Sequence, residues 1–156
     1  MSSTNKRIES KLEVQAYIQN LKYALNNGAS IQFQISRLVD EKRDERYTNL
    51  YTVNLLFPNE DPTTALKREL LTLSVEDYIQ TVKDLRFPKR SEMREFGKRY
   101  VGNGDVYIKI RVELLSAYGN ATTFIMSFHF AEIPFTKEMF PYKKKGDANE
   151  DESIKE

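Results

Sequence analysis

Hydrophobic and polar residues alternate most regularly in two stretches near the end of the chain, residues 105–114 and 123–130. Successive side chains of a β-strand point to opposite faces, so each stretch has one apolar row. The apolar rows are Val106, Ile108, Ile110, Val112 and Leu114 in the first stretch, and Phe124, Met126, Phe128 and Phe130 in the second. We predict two antiparallel strands with these rows buried. Their reverse rows then share the opposite face.

Helical spacing and turn residues assign the other elements. Residues 9–26 carry an apolar stripe at helical spacing and end at Asn27-Gly28, which predicts a helix. Residues 31–35 and 51–57 alternate on either side of a charged loop, which predicts a β-hairpin. Asp61-Pro62 is typical of a helix start, and Ser74 to Asp77 resembles a capping box that would open a second helix reaching Leu85. A short strand at EFGKRY and a Gly-Asn-Gly turn then lead into residue 105.

The predicted element order is therefore α-ββ-αα-βββ. This order favours an α+β fold in which helices cover one face of a mostly antiparallel sheet and the other face stays open. We predict one domain over residues 1–142. The charged tail, residues 143–156, has little to bury and is expected to be disordered.

Composition excludes several kinds of chemistry. The 156 residues include no cysteine and one histidine, which rules out thiolate ligands and argues against a transition-metal enzyme. We therefore expect no metal and no cofactor. The first ten residues are polar, and no stretch approaches the roughly 18 apolar residues of a membrane span, so a cytoplasmic protein without a membrane partner is predicted.

The reverse rows of the two strands make the best candidate site. They would bring together Tyr107, Lys109, Arg111, Ser127 and His129, with Lys98 or Arg99 added from the preceding strand. Cleavage of RNA through its own 2′-hydroxyl needs a proton acceptor, a proton donor and cations at the phosphate, and these residue types supply all three. The alternative is an ordinary solvated sheet face, with His129 in a structural hydrogen bond.

A basic segment surrounds this candidate site. Residues 83–111 contain nine Lys/Arg and four acidic residues, a local net charge of +5 in a chain whose net charge is +1. Phosphate-binding side chains are the functional interpretation, and a solvated surface is the alternative. The predicted RNA-binding residues are Lys83, Arg94, Arg99, Arg111 and Ser127.

The order of three motifs resembles a known family. LLTLSVEDYIQTV, EMREFGKRYVGNGDVYIKIRVEL and FIMSFHFAEIPF follow one another over roughly residues 66–142. This order is similar to that of the MqsR-type messenger-RNA interferase toxins of bacterial toxin–antitoxin modules. The resemblance implies a RelE-like α+β fold, metal-independent cleavage of messenger RNA and neutralisation by a cognate antitoxin protein.

The resemblance also implies roles for particular positions. The tyrosine and lysine of the family's VYxK motif correspond to Tyr107 and Lys109. A family lysine falls at Gln80, and a family glutamine falls near Glu95, so two positions depart from the pattern. The catalytic set would then be Lys98, Tyr107, Lys109 and His129. We predict that Lys98, Lys109 and Arg111 bind the scissile phosphate, that Tyr107 positions groups or transfers a proton, and that His129 acts as general acid or base.

Two kinds of function remain open from the sequence. The first is a toxin-type endoribonuclease that cleaves single-stranded messenger RNA. The second is a non-catalytic domain that binds a protein or an RNA through the same basic sheet face.

Overall fold

A six-stranded sheet forms the centre of the molecule. The structure, a computed structural model, describes residues 3–36, 44–100, 102, 104–114 and 121–144. The strands are β1 (Thr4–Arg7), β2 (Ser30–Phe33), β3 (Tyr78–Asp84), β4 (Met93–Tyr100), β5 (Gly104–Leu114) and β6 (Ala121–Phe130). Their order in the sheet is β1-β3-β4-β5-β6-β2, and all neighbours are antiparallel except β2 and β6. The predicted α+β class with a mostly antiparallel sheet is confirmed.

Three α-helices are described, and each begins at a residue suited to capping. They are α1 (Lys11–Asn26), α2 (Asn49–Leu56) and α3 (Pro62–Leu70). Ser10 and Glu13 form a reciprocal capping box at α1, and the Asp61 side chain accepts from Thr64 N–H at α3, where Pro62 fills the first turn. Both helix starts agree with the sequence prediction.

The hydrophobic core lies between the helices and one face of the sheet. The helices contribute the buried residues Val14, Ile18, Leu21, Leu25, Val53, Leu66 and Leu70. Cross-strand pairing aligns the side chains that meet them in one row across four strands: Tyr78, Phe96, Ile108 and Phe128. We call this side of the sheet the core face and the opposite side the second face.

The segment predicted as a second hairpin strand is helical. Residues 49–56 form α2, although Tyr51, Val53 and Leu55 alternate as in a strand. The helix is held against the edge of β6 by side chains: the Asn49 amide donates to Met126 O and accepts from Phe128 N–H, and Thr52 Oγ1 accepts from Phe130 N–H. Side chains of α2 thus supply hydrogen-bond partners for the main-chain groups of β6 that lie beyond the end of β2. Buried main-chain groups need such partners. Of the predicted charged turn at residues 40–46, positions 40–43 lie outside the described residues, and Asp44 caps a 3₁₀ turn formed by Glu45–Tyr47.

The segment from Ser74 to Leu85, which was predicted to be a helix, is mostly a strand. Asp77 does accept a hydrogen bond from Ser74 N–H at 2.9 Å, but only the 3₁₀ turn Val75–Asp77 follows. Tyr78 to Asp84 then form β3, which pairs with β4 on one side and β1 on the other. The observed order is therefore β-α-β-α-α-β-β-β-β, in place of the predicted α-ββ-αα-βββ.

A β-bulge in β6 decides which of its side chains share a face. An extra residue, Met126, lies between Ser127, which pairs with Lys109, and Ile125, which pairs with Ile110. Ile125 therefore lies in the core, whereas Phe124 pairs with Arg111 on the second face. The predicted burial is confirmed for Phe128 and Phe130 and is wrong for Phe124 and Met126, because a bulge reverses strict alternation.

None of the helices among the described residues combines the length and the apolar character needed to cross a membrane. The structure describes the predicted tail only as far as Lys144. The prediction of disorder for residues 145–156 is therefore not tested.

Candidate functional site

Two neighbouring rows of polar side chains cross the second face. Pairing of β3, β4, β5 and β6 aligns the first row, which is Gln80, Glu95, Lys109 and Ser127. The next row consists of Gly97, Tyr107 and His129. Because directly opposed Cβ atoms in antiparallel strands stand about 4.5–5.5 Å apart, the rows form one continuous surface. We call these seven residues the polar patch.

Tyr107 is the centre of the contacts within the polar patch. Its ring centroid lies 5.4 Å from that of His129, and Lys109 Nζ lies 5.9 Å from the Tyr107 ring centre. Tyr107 and Lys109 are partly exposed, whereas His129 is only 6% exposed. The predicted grouping of these three side chains on one face therefore agrees with the observed register, and Tyr107 and Lys109 are the two that solvent reaches best.

The hydrogen bond of His129 defines its tautomer. Its Nδ1 lies 3.0 Å from the main-chain oxygen of Phe130, which can only accept. Nδ1 therefore carries the hydrogen, and in the neutral ring Nε2 holds the lone pair. The structural hydrogen bond that the sequence analysis offered as the alternative role of His129 is therefore present.

Glu95 is a member of the patch that sequence reasoning did not select. It stands directly opposite Lys109 and accepts a hydrogen bond from the Gln80 amide at 2.9 Å. Its two neighbours across the strands are therefore a hydrogen-bond donor and a cation. The sequence signal was available, since Glu95 lies two residues before Gly97 in the FGK motif, but the register with Lys109 was needed to interpret it.

Arg111 lies on the second face next to the polar patch, but its guanidinium contacts other side chains of the protein rather than solvent. It is 8% exposed, its guanidinium lies 4.3 Å from the Phe124 ring centre, and it is ion-paired with Glu113. The main-chain N–H of Ser91 and the charge of Arg111 hold the pKa of Glu113 below its ordinary value. Arg111 therefore stabilises one border of the patch.

A C-terminal segment, residues 131–144, covers part of the second face. It is anchored at Asp105, whose main-chain oxygen accepts from Ala131 N–H and whose carboxylate accepts from Phe135 N–H at 2.8 Å. The rings of Phe135 and Phe140 then pack on Gly97, where a Cβ would lie 2.6 Å and 2.9 Å from their carbons. The predicted open face is thus partly closed, because this apolar segment has to bury its aromatic rings.

Three of the predicted site residues lie on the core-face side of the sheet. Lys98 pairs with Val106 and lies 3.6 Å from Asp77; Arg94 is ion-paired with Glu9 at 2.8 Å. Strand alternation places Lys83 on this side as well, and its Nζ donates to the main-chain oxygens of Pro88 and Arg90. These three residues cannot meet a ligand held by Tyr107 and Lys109, because the sheet lies between them.

Arg99 is on the second face, at the end of β4. It is exposed and donates to Asp105 at 3.0 Å. The second face therefore carries Tyr107, Lys109, Arg111, Ser127, His129 and Arg99 of the predicted set. It adds Gln80 and Glu95, the two positions at which the chain departs from the family pattern.

Over the described ranges, no group of three or more His, Asp or Glu side chains is placed to hold a metal ion. The fold and the patch define an α+β protein with a polar, partly covered sheet face. A scan against protein-family models and searches of curated proteins and of solved structures found no match.

Proposed function

We propose that this chain is a toxin-type endoribonuclease of the MqsR-type, RelE-like class that cleaves messenger RNA in the cytoplasm and is neutralised by a cognate antitoxin protein. The observation that carries the proposal is the grouping of Tyr107, Lys109 and His129 on one face. The motif resemblance supports the same assignment.

The reaction uses the 2′-hydroxyl of the RNA as its nucleophile. That oxygen attacks the adjacent phosphorus and loses its proton to a base, while the P–O bond to the 5′-oxygen breaks and that oxygen takes up a proton. The products are a 2′,3′-cyclic phosphate and a 5′-hydroxyl end. Charge accumulates on the non-bridging oxygens, so a cation placed there accelerates the step.

The polar patch offers one group for each requirement. Lys109 is the cation at the phosphate, since its ammonium is partly exposed and lies beside Tyr107. The Glu95 carboxylate, directly opposite Lys109, is the proposed acceptor of the 2′-hydroxyl proton; it is 6% exposed, so it acts only on an RNA that enters the patch beside Lys109. Tyr107, the partly exposed proton donor of the second row, is suited to protonate the leaving oxygen, and His129 packs beside its ring.

The observed positions change the roles proposed from sequence. Lys98 lies on the other side of the sheet and is left out, and Arg111 acts by holding Phe124 and Glu113 rather than the phosphate. His129 is as buried as Glu95, and its ring packs beside that of Tyr107, so its proposed role is to position Tyr107. The proposed chemistry therefore depends on Lys109, Glu95 and Tyr107.

A second candidate function is supported by burial. His129 and Arg111 are almost completely covered, and Phe135 and Phe140 lie over Gly97. A face in this state is suited to bind an RNA or a protein without cutting it. Under this alternative Tyr107 and Lys109 are contact residues only.

The two lysines of neighbouring strands provide a matched test. Lys109 lies on the polar patch, whereas Lys98 lies on the core-face side, so Lys109→Ala and Lys98→Ala remove the same side chain from opposite faces. Under controlled expression in bacteria, we expect the wild type and Lys98→Ala to arrest growth and to produce RNA fragments with 5′-hydroxyl ends. Lys109→Ala should do neither, since losing one group that stabilises transition-state charge costs roughly 10²–10³-fold in rate.

Protein levels in the three cultures are matched by immunoblot. Equal arrest by the wild type and Lys109→Ala would reject this site while leaving a toxin. Wild-type protein that accumulates with normal growth and intact RNA would reject the nuclease and favour the binding function.

A further inference from the structure

A small cavity lies at the end of the sheet, beside the polar patch. It encloses about 230 Å³ between the turn before α2, α2 itself and the adjoining ends of β5 and β6. Its main side chains are Arg46, Tyr47, Tyr51, Leu55, Asp105 and Phe130. This volume is below the roughly 300–1,000 Å³ of pockets that enclose drug-sized ligands, so the cavity suits one planar group.

The lining is aromatic and partly open to solvent. Tyr51 is 37% exposed and packs edge-on against Phe130, with ring centroids 6.4 Å apart. The guanidinium of Arg46 lies 5.6 Å from the Tyr47 ring centre. Tyrosine rings and guanidinium planes are the surfaces on which unpaired bases stack.

The charges at the rim favour a neutral group inside the cavity. Asp105 accepts from Arg99 Nε at 3.0 Å and from Phe135 N–H at 2.8 Å, so both of its oxygens have donors. Arg46 is paired with Asp44 at 3.0 Å. Because each cation already faces a carboxylate, the cavity has no excess positive charge to hold a phosphate.

The cavity and the polar patch lie near the same ends of β5 and β6, but the aromatic lining of the cavity is on the core-face side and the patch is on the second face. Asp105 is two residues from Tyr107 on the same face of β5, a distance of about 7 Å. On β6, Phe130 directly follows His129 and pairs with Val106, so its ring lies on the core-face side with α2. A single-stranded RNA held at Tyr107 and Lys109 therefore reaches the cavity by passing round the ends of β5 and β6.

We propose that the cavity lined by Tyr47, Tyr51 and Phe130 binds one unpaired nucleobase of an RNA that passes round the end of the sheet from the phosphate held at the polar patch. This inference deepens the proposed function and rests on it for the identity of the ligand. It assigns base stacking to α2 and the turn before it, and phosphate contacts to β4 and β5.

Fluorescence titration with an uncleavable RNA tests the cavity. The probe is a single-stranded 2′-O-methyl oligoribonucleotide with one 2-aminopurine, moved position by position, so that stacking quenches its fluorescence. We expect quenching at one position and a Kd that rises about tenfold in Tyr51→Leu, which keeps an apolar side chain but loses the ring. Tyr51→Phe keeps the ring and should bind like the wild type. Tyr23→Ala, on the exposed surface of α1, is the remote control.

Salt dependence separates stacking from phosphate binding. The slope of log Kd against log salt should be the same for Tyr51→Leu and the wild type, because stacking releases no counterions. An unchanged Kd in folded Tyr51→Leu, or no quenching at any position, would overturn the proposal.

The same samples separate this inference from the proposed nuclease. If the wild type cuts unmodified RNA and Tyr51→Leu binds and cuts equally well, the cavity assignment fails and the nuclease stands. If the wild type binds and quenches the probe but leaves unmodified RNA intact, the cavity stands and the nuclease fails. If the wild type binds no RNA, both fail.

Discussion

Gly97 is the point at which the C-terminal segment meets the sheet, so Gly97→Ala is a direct test of that contact. The backbone at Gly97 is ordinary extended strand, so alanine introduces no conformational strain there. The added methyl group would lie 2.6 Å from a Phe135 ring carbon and 2.9 Å from a Phe140 ring carbon. Both distances are far below a van der Waals contact, so the rings have to move.

Two opposing effects set the size of the change. Overpacking a close contact costs about 1–3 kcal/mol. Replacing glycine by alanine in an unstrained conformation stabilises the folded protein by about 0.4–1 kcal/mol, because alanine lowers the conformational entropy of the unfolded chain. We therefore expect Gly97→Ala to lower the free energy of unfolding by about 1–2 kcal/mol, and to loosen residues 131–144 before the rest of the protein unfolds.

Urea unfolding followed by circular dichroism measures the global loss, and limited trypsin cleavage at Lys137 reports the local one. A double-mutant cycle with Phe135→Ala identifies the cause. Removing the Phe135 ring relieves the closest overlap with the alanine at 97, so the two changes should couple by at least about 0.5 kcal/mol. Strict additivity, or a Gly97→Ala protein as stable and as trypsin-resistant as the wild type, would refute the packing argument.

Two further predictions concern buried polar groups. Asn49→Asp keeps the shape of the side chain but cannot donate to the Gln34 and Met126 oxygens, so we expect a loss of at least about 2 kcal/mol in urea unfolding; a loss under 1 kcal/mol would contradict the role of this amide at the β6 edge. Burial alone would raise the pKa of Glu9, but hydrogen bonds from Arg94 and Thr81 hold it below its ordinary value. Its stabilisation is therefore present above about pH 4.3, the pKa of an unfolded glutamate, and is lost as the pH falls through the folded pKa. The stability difference between the wild type and Glu9→Gln should shrink from pH 7 to pH 3, and a constant difference over that range would contradict the assignment.

Some elements could be predicted because their signals are local and complete. Cap residues, apolar periodicity and length together predict α1 and α3, and all three can be read from adjacent residues of the chain. The β4–β5–β6 meander follows from alternation and a glycine turn. Alternation also placed Tyr107, Lys109 and His129 on one face before any register was known.

Other elements were predicted wrongly because their sequence signals are ambiguous. The eight residues of α2 alternate as in a strand, and only the hydrogen bonds of Asn49 and Thr52 to the β6 edge require the helix. The Ser74 to Asp77 signal is real, but its 3₁₀ turn leads into a strand because β1 and β4 are available to pair with β3.

The sequence by itself determined the α+β class, the central meander and the chemical types available to a site, because these depend on periodicity and composition. Only the tertiary structure decided that Glu95 faces Lys109, that Lys98 and Arg94 lie on the other side of the sheet, and that Phe135 and Phe140 cover Gly97. The physical reason is that a single bulge or a one-residue shift in register moves a side chain to the opposite face. Register is a property of paired strands, and no single stretch of sequence contains it.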